Sequence, residues 1–253
     1  MTKISDIIGS LEQLAPISLQ ENFDNAGVQV SADPDAECSG VLVCLDITEP
    51  VIDEAIRKGC NMVVSHHPLI FNPLRQITNA TFQERCVIRA VQNGITLYSA
   101  HTNLVNAPDG VNRRISQVFG LENVEPLGMG MVGTLPEPVG EREFVARVAE
   151  LFDVKCVQHS AFQGRTIRRV AVCGGAGSFL ISEAEQAGAD CFITGEISYH
   201  RFFEAGNALL MALGHYQSEQ FTKNLISEYV GSHFPKLKVE MTEINTNAIE
   251  YFI

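Results

Sequence analysis

Short runs of apolar and β-branched residues alternate with amphipathic stretches along this sequence. Residues 41–45 read as a strand, residues 49–58 as a helix ended by Gly59, and residues 62–65 as the next strand. A helix over 81–92 and a strand over 95–100 continue the alternation. Because β-α-β units of this kind build buried, mainly parallel sheets, the pattern predicts an α/β fold.

The first β-α-β unit recurs at a constant offset of 129 residues, without a gap. Under this offset Cys44 falls on Cys173, Ala55 on Ala184, Gly59 on Gly188, and residues 62–65 on 191–194. The repeat predicts two similar α/β lobes, residues 1–125 and 126–253, with mainly parallel central strands and a site in the cleft between them. The alternative is that any two β-α-β units share this spacing.

The second half is predicted to follow a glycine- and proline-rich connection. Residues 120–140 contain five glycines and three prolines and read as a crossing loop with one short strand near 131–135. Further on, the patterns predict a helix over 141–152, a strand over 154–157, a long helix over 217–230 and a final strand over 237–244.

Composition excludes several classes of protein. Hydrophobic residues at 45% and charged residues at 19% are typical of a globular chain rather than a disordered one. A net charge of -12 disfavours nucleic acid and anionic membrane as partners, and no apolar run reaches the 18 residues of a membrane span. Seven cysteines without a C-x-x-C pair indicate reduced thiols, so we expect a cytoplasmic protein.

Four of the seven histidines fall at the ends of predicted strands: His66, His67, His101 and His215. Adjacent residues of an extended strand point to opposite faces, so His66 and His67 can bind one metal only if the chain turns after Ser65, or they serve two metals. His215 and Glu219 are four residues apart at the start of a predicted helix, which places both side chains on one face as metal ligands require.

Five ordered motifs, spread over essentially the whole chain, carry a family resemblance. They are E-N-F-D-N-A-G-V-Q-V from Glu21, V-S-H-H-P-L from Val64, H-T-N-L from His101, I-T-G-E from Ile193 and G-H-Y-Q-S-E from Gly214. With these motifs the sequence resembles the GTP cyclohydrolase I type 2 homologue family, also called Nif-three-like.

The resemblance implies a dinuclear divalent-metal centre in a two-lobed α/β protein that assembles as a toroidal homohexamer. Carried over residue by residue, the family's metal ligands fall on His66, His67, His215 and Glu219. Longer relatives carry an extra domain inserted near residues 123–127, so this chain resembles the short form.

One ligand of the family does not carry over. The family has an aspartate four residues after the histidine of H-T-N-L, where this sequence has Val105, and the internal repeat asks for a carboxylate there as well. Several alternatives are open for this missing ligand. Either His101 or Asp109 takes the place of the aspartate, or water fills the position, or one of the two metals is bound weakly or not at all. His101 either binds metal or orients a neighbouring ligand, and Asp109 alternatively caps the helix predicted near residues 111–119.

Other polar residues follow predicted strands. Glu196 and His200 are candidates for proton transfer or for contacts to metal ligands, and the alternative is that they are polar residues of a surface loop. Asp46, which follows the first predicted strand, is a candidate for the same roles. The glycine turn over residues 173–178 is either a tight structural turn or a phosphate cradle.

Two functions are consistent with this sequence. The first is a metal-dependent hydrolase acting on a small molecule with up to two divalent ions per chain, drawn from zinc, iron, manganese, cobalt or nickel. The second is a non-catalytic metal-binding or regulatory scaffold protein, which Val105 favours because loss of a ligand damages two-metal chemistry more than single-metal binding.

Overall fold

The computed structural model describes residues 1–252, which fold into two compact units. The first unit comprises residues 1–110 and 222–246, and the second comprises residues 111–221 and 247–252. The two predicted lobes were consecutive, residues 1–125 and 126–253. In the structure the first unit ends at residue 110, and the later segment 222–246 also belongs to it. Residues 222–246 belong to the first unit because their strand, Val239–Met241, pairs with Val41–Cys44 in its sheet.

The first unit contains a five-stranded sheet and five helices. The strands are β1 (Gly27–Val30), β2 (Val41–Cys44), β3 (Met62–Ser65), β4 (Thr96–Ser99) and β11 (Val239–Met241), in the order β1-β4-β3-β2-β11. Only β1 is antiparallel to its neighbour. The helices are α1 (Ile4–Leu14), α2 (Glu49–Lys58), α3 (Phe82–Gln92), α4 (Thr102–Asn106) and α9 (Thr222–His233).

Local sequence explains the helix that follows β2. It begins after Thr48 with Glu49 in its first turn, and it ends at Gly59, whose φ of 68° is readily adopted only by glycine. The buried face of α2 belongs to one hydrophobic core cluster together with residues of α3 and of the strands. The strand residues of this cluster include Leu42, Val63 and Leu97. The predicted strand, helix and stop in this segment are confirmed.

The second unit contains a six-stranded mixed sheet. Its strands are β5 (Glu122–Leu127), β6 (Gly130–Gly140), β7 (Gln158–His159), β8 (Thr166–Cys173), β9 (Cys191–Thr194) and β10 (Leu209–Ala212), in the order β5-β6-β8-β9-β10-β7. β8, β9 and β10 are parallel, and the other pairs are antiparallel. The helices are α5 (Val111–Phe119), α6 (Glu141–Leu151), α7 (Ile181–Gln186) and α8 (His215–Glu219).

The strand registers of the two sheets carry the internal repeat. Val41 pairs with Met62 in the first unit, and Val170 pairs with Cys191 in the second, so both pairs obey the offset of 129 residues. The prediction of two similar α/β lobes with mainly parallel central strands is confirmed at the level of each unit.

Three predicted elements of the second half were wrong. The region predicted as a crossing loop is the antiparallel hairpin β5-β6, although the short strand predicted near 131–135 lies within β6. The prolines are tolerated because Pro126 lies on the edge strand β5, and Pro136 and Pro138 lie in a register shift between Thr134 and Val139. The strand predicted over 154–157 is β7, at Gln158–His159, where it pairs with β10.

The third wrongly predicted element is the long helix over 217–230. In the structure this segment is divided into the two helices α8 and α9. The final strand is also shorter than predicted, at Val239–Met241. Within residues 1–252, no helix combines the length and the apolar character that crossing a membrane would take.

Candidate metal centre

Three histidine rings cluster at the carboxyl edge of the first unit's sheet. β3 and β4 are parallel neighbours with Ser65 opposite Ser99, so the residues that follow them lie close together. The ring centroids are 4.9 Å apart for His66 and His67, 5.3 Å for His66 and His101, and 5.5 Å for His67 and His101. One nitrogen from each ring lies within 4.8 Å of the other two. This spacing suits imidazole ligands that share a metal site.

The chain turns after Ser65, as binding by both adjacent histidines requires. β3 ends at Ser65, whose hydroxyl donates to the His67 carbonyl at 2.7 Å and shares a 2.7 Å hydrogen bond with the Ser99 hydroxyl. The turn brings the His66 and His67 rings together instead of leaving them on opposite faces of the strand.

Each ring of the cluster uses Nδ1 to donate to an oxygen. The acceptors are the Ala100 carbonyl for His66 at 2.8 Å, Asp46 Oδ1 for His67 at 2.7 Å and Asp24 Oδ1 for His101 at 2.7 Å. A protein histidine that binds metal through Nε2 commonly donates its other N–H to a carboxylate or carbonyl, which fixes the ring and its tautomer. All three rings therefore have the orientation expected of Nε2 ligands.

Asp24 fixes His101 through a buried carboxylate. Its other oxygen accepts hydrogen bonds from the Thr102 amide at 3.0 Å and from the Thr102 hydroxyl. Burial alone would raise the pKa of Asp24, but the hydrogen bonds from His101 and Thr102 outweigh it and hold the pKa well below its usual value. No role for Asp24 was predicted, although it lies within the first of the five motifs.

Asp46 acts on His67 in the same way. Its second oxygen accepts from the Thr246 hydroxyl at 2.7 Å, which ties the C-terminal part of the first unit to this carboxylate. Burial favours a raised pKa for Asp46, but the hydrogen bond and charge of His67 lower it overall. The structure places Asp46 as the partner of a candidate ligand.

The second unit holds His215 and Glu219 on one face of α8. His215 Nε2 is 3.2 Å from Glu219 Oε2, as the spacing of four residues predicts. His215 Nδ1 lies 2.9 Å from Glu196 Oε1, so Glu196 orients this ring as the aspartates orient those of the first unit. The Glu219 side chain is only 4% exposed.

A glycine turn makes room for Glu219. A Cβ on Gly175, whose φ is 66°, would lie 2.6 Å from Glu219 Oε1. The Gly175 amide donates to the Ser218 hydroxyl at 3.0 Å, and the Gly177 amide donates to the Thr194 hydroxyl at 2.9 Å. Because these amides have acceptors within the unit, the structure favours the tight structural turn over the phosphate cradle.

His200 is not drawn into either set of candidate ligands. It lies on the 3-10 helix Tyr199–Glu204, exposed, with its ring 5.2 Å from that of Tyr199. Of the two residues predicted to carry protons, Glu196 lies beside a candidate metal ligand, and His200 belongs to no group of three or more potential ligands within residues 1–252.

One strand beyond the repeat, the sequence aligns Ser99-Ala-His101 with Leu213-Gly-His215 and so predicts that His101 corresponds to His215. This correspondence is wrong by one residue. Ser65 pairs with Ser99 as Thr194 pairs with Ala212, so the counterpart of His101 is Gly214. Both precede a five-residue helix, α4 or α8, as its N-cap. By this register the counterpart of Glu219 is Asn106, whose side-chain amide donates to the Leu19 carbonyl at 2.9 Å and to Glu21 at 3.0 Å.

Val105 and Asp109 have different environments. Val105 lies in α4, 7% exposed, and its amide donates to the His101 carbonyl at 2.9 Å. Asp109 is exposed and is not part of the three-histidine cluster. Of the residues considered as replacements for the missing aspartate, His101 is the one that lies with His66 and His67.

Comparison with known proteins agrees with the motifs. The Duf34/NIF3 (NGG1p interacting factor 3) family model matches residues 2–248. A GTP cyclohydrolase 1 type 2 homolog of Clostridium acetobutylicum is 35% identical over 229 residues, which cover 86% of this chain and 85% of that protein. A protein of the same name from Lactococcus lactis is 34% identical over 253 residues, covering 97% and 98%.

A solved structure supports the fold. The crystal structure of a hypothetical protein of Staphylococcus aureus matches with a TM-score of 0.91 and 27% identity, covering 99% of both chains.

Proposed function

Since the chain belongs to the Duf34/NIF3 family, we propose that it binds divalent metal through His66, His67, His215 and Glu219, with His101 as a further ligand. The observation that carries this proposal is the hydrogen bonding of the three clustered rings, each of which donates Nδ1 to an oxygen acceptor. Imidazole and carboxylate together suit zinc, iron, manganese, cobalt and nickel, and the proposed content is up to two ions per chain.

The activity we propose is metal-dependent hydrolysis of a small molecule, as the name of the relatives suggests. Bound divalent ions would supply Lewis-acid polarisation of a substrate oxygen and of water. Asp24 and Asp46 hold the His101 and His67 rings in place, and Glu196 lies beside His215, where it can hold a proton at Nδ1.

Elemental analysis of protein purified without chelator or affinity tag tests the metal proposal. His67→Ala and Glu219→Ala are each expected to lower the metal bound per chain without unfolding the protein. His233→Ala is the matched control, because His233 lies at the exposed end of α9. Unchanged metal content in both ligand variants would contradict the assignment.

A non-catalytic metal-binding or regulatory scaffold is the second candidate, and the buried valine at position 105 favours it. Val105→Asp is expected to raise the bound metal relative to Val105→Asn, which has the same shape without the charge. Two metals per chain with metal-dependent turnover of nucleotides or phosphoesters favour the hydrolase. One metal without turnover favours the scaffold.

A further inference from the structure

Two exposed phenylalanine rings lie beside the three-histidine cluster. The Phe71 ring is 6.1 Å from the His101 ring, nearly perpendicular to it at 81°. The Phe23 ring is 6.4 Å from the Phe71 ring. Phe71 is 42% exposed and Phe23 is 65% exposed. These two rings lie beside a candidate metal site and are not packed into the core. They are therefore available to stack against the aromatic ring of a bound ligand.

The backbone that carries these rings is held in place. The Asn25 side-chain amide donates to the Ile70 carbonyl at 2.6 Å, and the Ile70 amide donates to Gln29 Oε1 at 3.1 Å. Phe23 directly precedes Asp24, whose carboxylate holds His101. The rings are therefore exposed on two segments that hydrogen bonds tie together, and one of these segments also carries Asp24.

A cavity of about 490 Å³ opens next to Phe71, entirely within the first unit. Its wall combines apolar Leu69 and Leu74 with the side-chain amides of Asn72 and Gln76. Sites for small molecules commonly have volumes of about 300–1,000 Å³ and mix apolar walls with a few polar groups. The cavity therefore suits a small molecule rather than a macromolecule.

Arg75 supplies a cation to this cavity. Within residues 1–252, no hydrogen bond or ion pair engages its side chain, in a chain whose net charge is -12. Glu84 also lines the cavity, but its Oε2 already accepts hydrogen bonds from the Thr78 amide at 2.7 Å, the Thr78 hydroxyl at 2.8 Å and the Ala80 amide at 3.0 Å. Arg75 is thus the charged group of the cavity that is available to a ligand.

We propose that Phe71, Phe23 and Arg75 form a substrate subsite beside the histidine cluster, for a small molecule that carries a planar aromatic ring and an anionic group. The ring stacks on the phenylalanines, and the anion pairs with the guanidinium. This subsite rests on the proposed metal-dependent function, because it positions a substrate next to His101.

Calorimetric titration with naphthalene-1-sulfonate, which cannot be hydrolysed by a phosphatase or cyclohydrolase, tests the subsite. Its uncharged analogue naphthalene-1-sulfonamide separates the ring from the charge, and inorganic sulfate tests the charge alone. The variants are Phe71→Leu, Phe23→Leu and Arg75→Gln. The matched controls are Phe179→Leu, an exposed phenylalanine of the second unit, and Arg57→Gln, an exposed arginine of α2.

We expect one equivalent of the sulfonate to bind wild type. Phe71→Leu should weaken both aromatic probes by about threefold to tenfold. Arg75→Gln should weaken the sulfonate by about tenfold and leave the sulfonamide unchanged. Both controls should bind like wild type, and every variant should keep its metal.

No saturable binding to wild type at millimolar concentrations would overturn the subsite, as would equal affinities for wild type and Phe71→Leu. Two further measurements distinguish failure of the subsite from failure of the metal ligands. The titrations are repeated on metal-free and zinc-loaded protein, and the metal content of His67→Ala is measured. Binding that depends on Phe71 while His67→Ala retains all its metal would leave the ring site standing and refute the metal ligands.

Discussion

At the scale of single residues, the histidine cluster depends on an oxygen acceptor at Nδ1 of each ring: the Ala100 carbonyl for His66, and the carboxylates of Asp46 and Asp24 for His67 and His101. Asp24 is the clearest case, because its carboxylate only accepts hydrogen bonds: Oδ1 from His101 and the Asn25 amide, and Oδ2 from the amide and hydroxyl of Thr102. An asparagine could not replace Asp24, because its side-chain NH₂ group would take the place of Oδ1 or Oδ2. In both positions that NH₂ group would point at another hydrogen-bond donor.

Asp24→Asn is therefore expected to weaken metal binding by about 10- to 100-fold, the usual cost of losing a partner of a metal-binding histidine. Competition with a chelator of known affinity measures the change. Asp53→Asn is the control, because Asp53 pairs with Arg89 on the exposed surface. An affinity unchanged by Asp24→Asn would show that His101 takes no part in binding metal.

Sequence reasoning located the candidate ligands and named Glu196 and Asp46 as candidates for contacts to them, but it missed Asp24. His66, His67 and the pair His215 and Glu219 are found by local spacing, because strand ends and helix turns fix where neighbouring side chains lie. The contact between Asp24 and His101 joins residues 77 positions apart, and that of Asp46 with Thr246 joins residues 200 apart. No local pattern encodes such pairs, since they form only when the sheet is assembled.

At the scale of elements, the glycine turn after β8 governs the position of Glu219. Gly175→Ala places a methyl group 2.6 Å from Glu219 Oε1 and also strains a backbone with φ of 66°. Gly188→Ala is the matched control, because Gly188 has φ of 71° but nothing within 4 Å of the added carbon.

Both alanine variants should lose about 1 kcal/mol or more of stability from backbone strain, measured by urea unfolding. Only Gly175→Ala should also lower the metal bound per chain, because it displaces Glu219. Equal metal content in the two variants would mean that Glu219 does not bind metal.

The segment before α3 is held by a carboxylate, and this makes stability depend on pH. Hydrogen bonds from the Thr78 amide, the Ala80 amide and the Thr78 hydroxyl lower the pKa of Glu84 from 4.5 to about 2. Because the folded pKa lies below the unfolded value, the contribution of Glu84 to stability is fully present above about pH 4.5 and is lost as pH falls towards 2.

Glu84→Gln should be less stable than wild type at pH 7, and the difference between the two should shrink as pH falls from 5 to 3 in urea unfolding curves. The control is Glu183→Gln, an exposed residue of α7, for which the difference from wild type should stay small throughout. A constant difference for Glu84→Gln would contradict this role of the carboxylate.

Elements were predictable where their signals are local. The segment from β2 to β3 combines an apolar run, an amphipathic period and a helix-ending glycine, and each was read correctly. Of the hairpin β5-β6, only a short strand near 131–135 was predicted, because Pro136 and Pro138 argue against a longer strand and only the register shift beside β8 accommodates them. The short β7 exists because β10 offers it an edge, which depends on tertiary pairing.

At the scale of the whole molecule, the family resemblance predicts a homohexamer. The second unit exposes Tyr199 and Phe203, 73% and 75% accessible, with ring centroids 5.6 Å apart. Exposed aromatic pairs are typical of surfaces that become buried between subunits. These residues are candidates for the subunit contacts of the proposed ring.

Light scattering should give a mass six times the 27.7 kDa of one chain. Phe203→Ser should shift the population towards smaller species, whereas Phe179→Ser, at an exposed site on the 3-10 helix Ser178–Leu180, should not. A wild-type mass of a single chain would refute the hexamer.

The pairing of β11 with β2 has a consequence for the nascent chain. β2 and β3 leave the ribosome early, but β11 follows only after roughly 175 further residues, which takes on the order of 10–35 s at about 5–20 residues per second. Until then β2 is an open sheet edge, able to pair with another chain. We therefore expect the yield of this protein during synthesis to depend on translation speed and chaperone supply as well as on final stability.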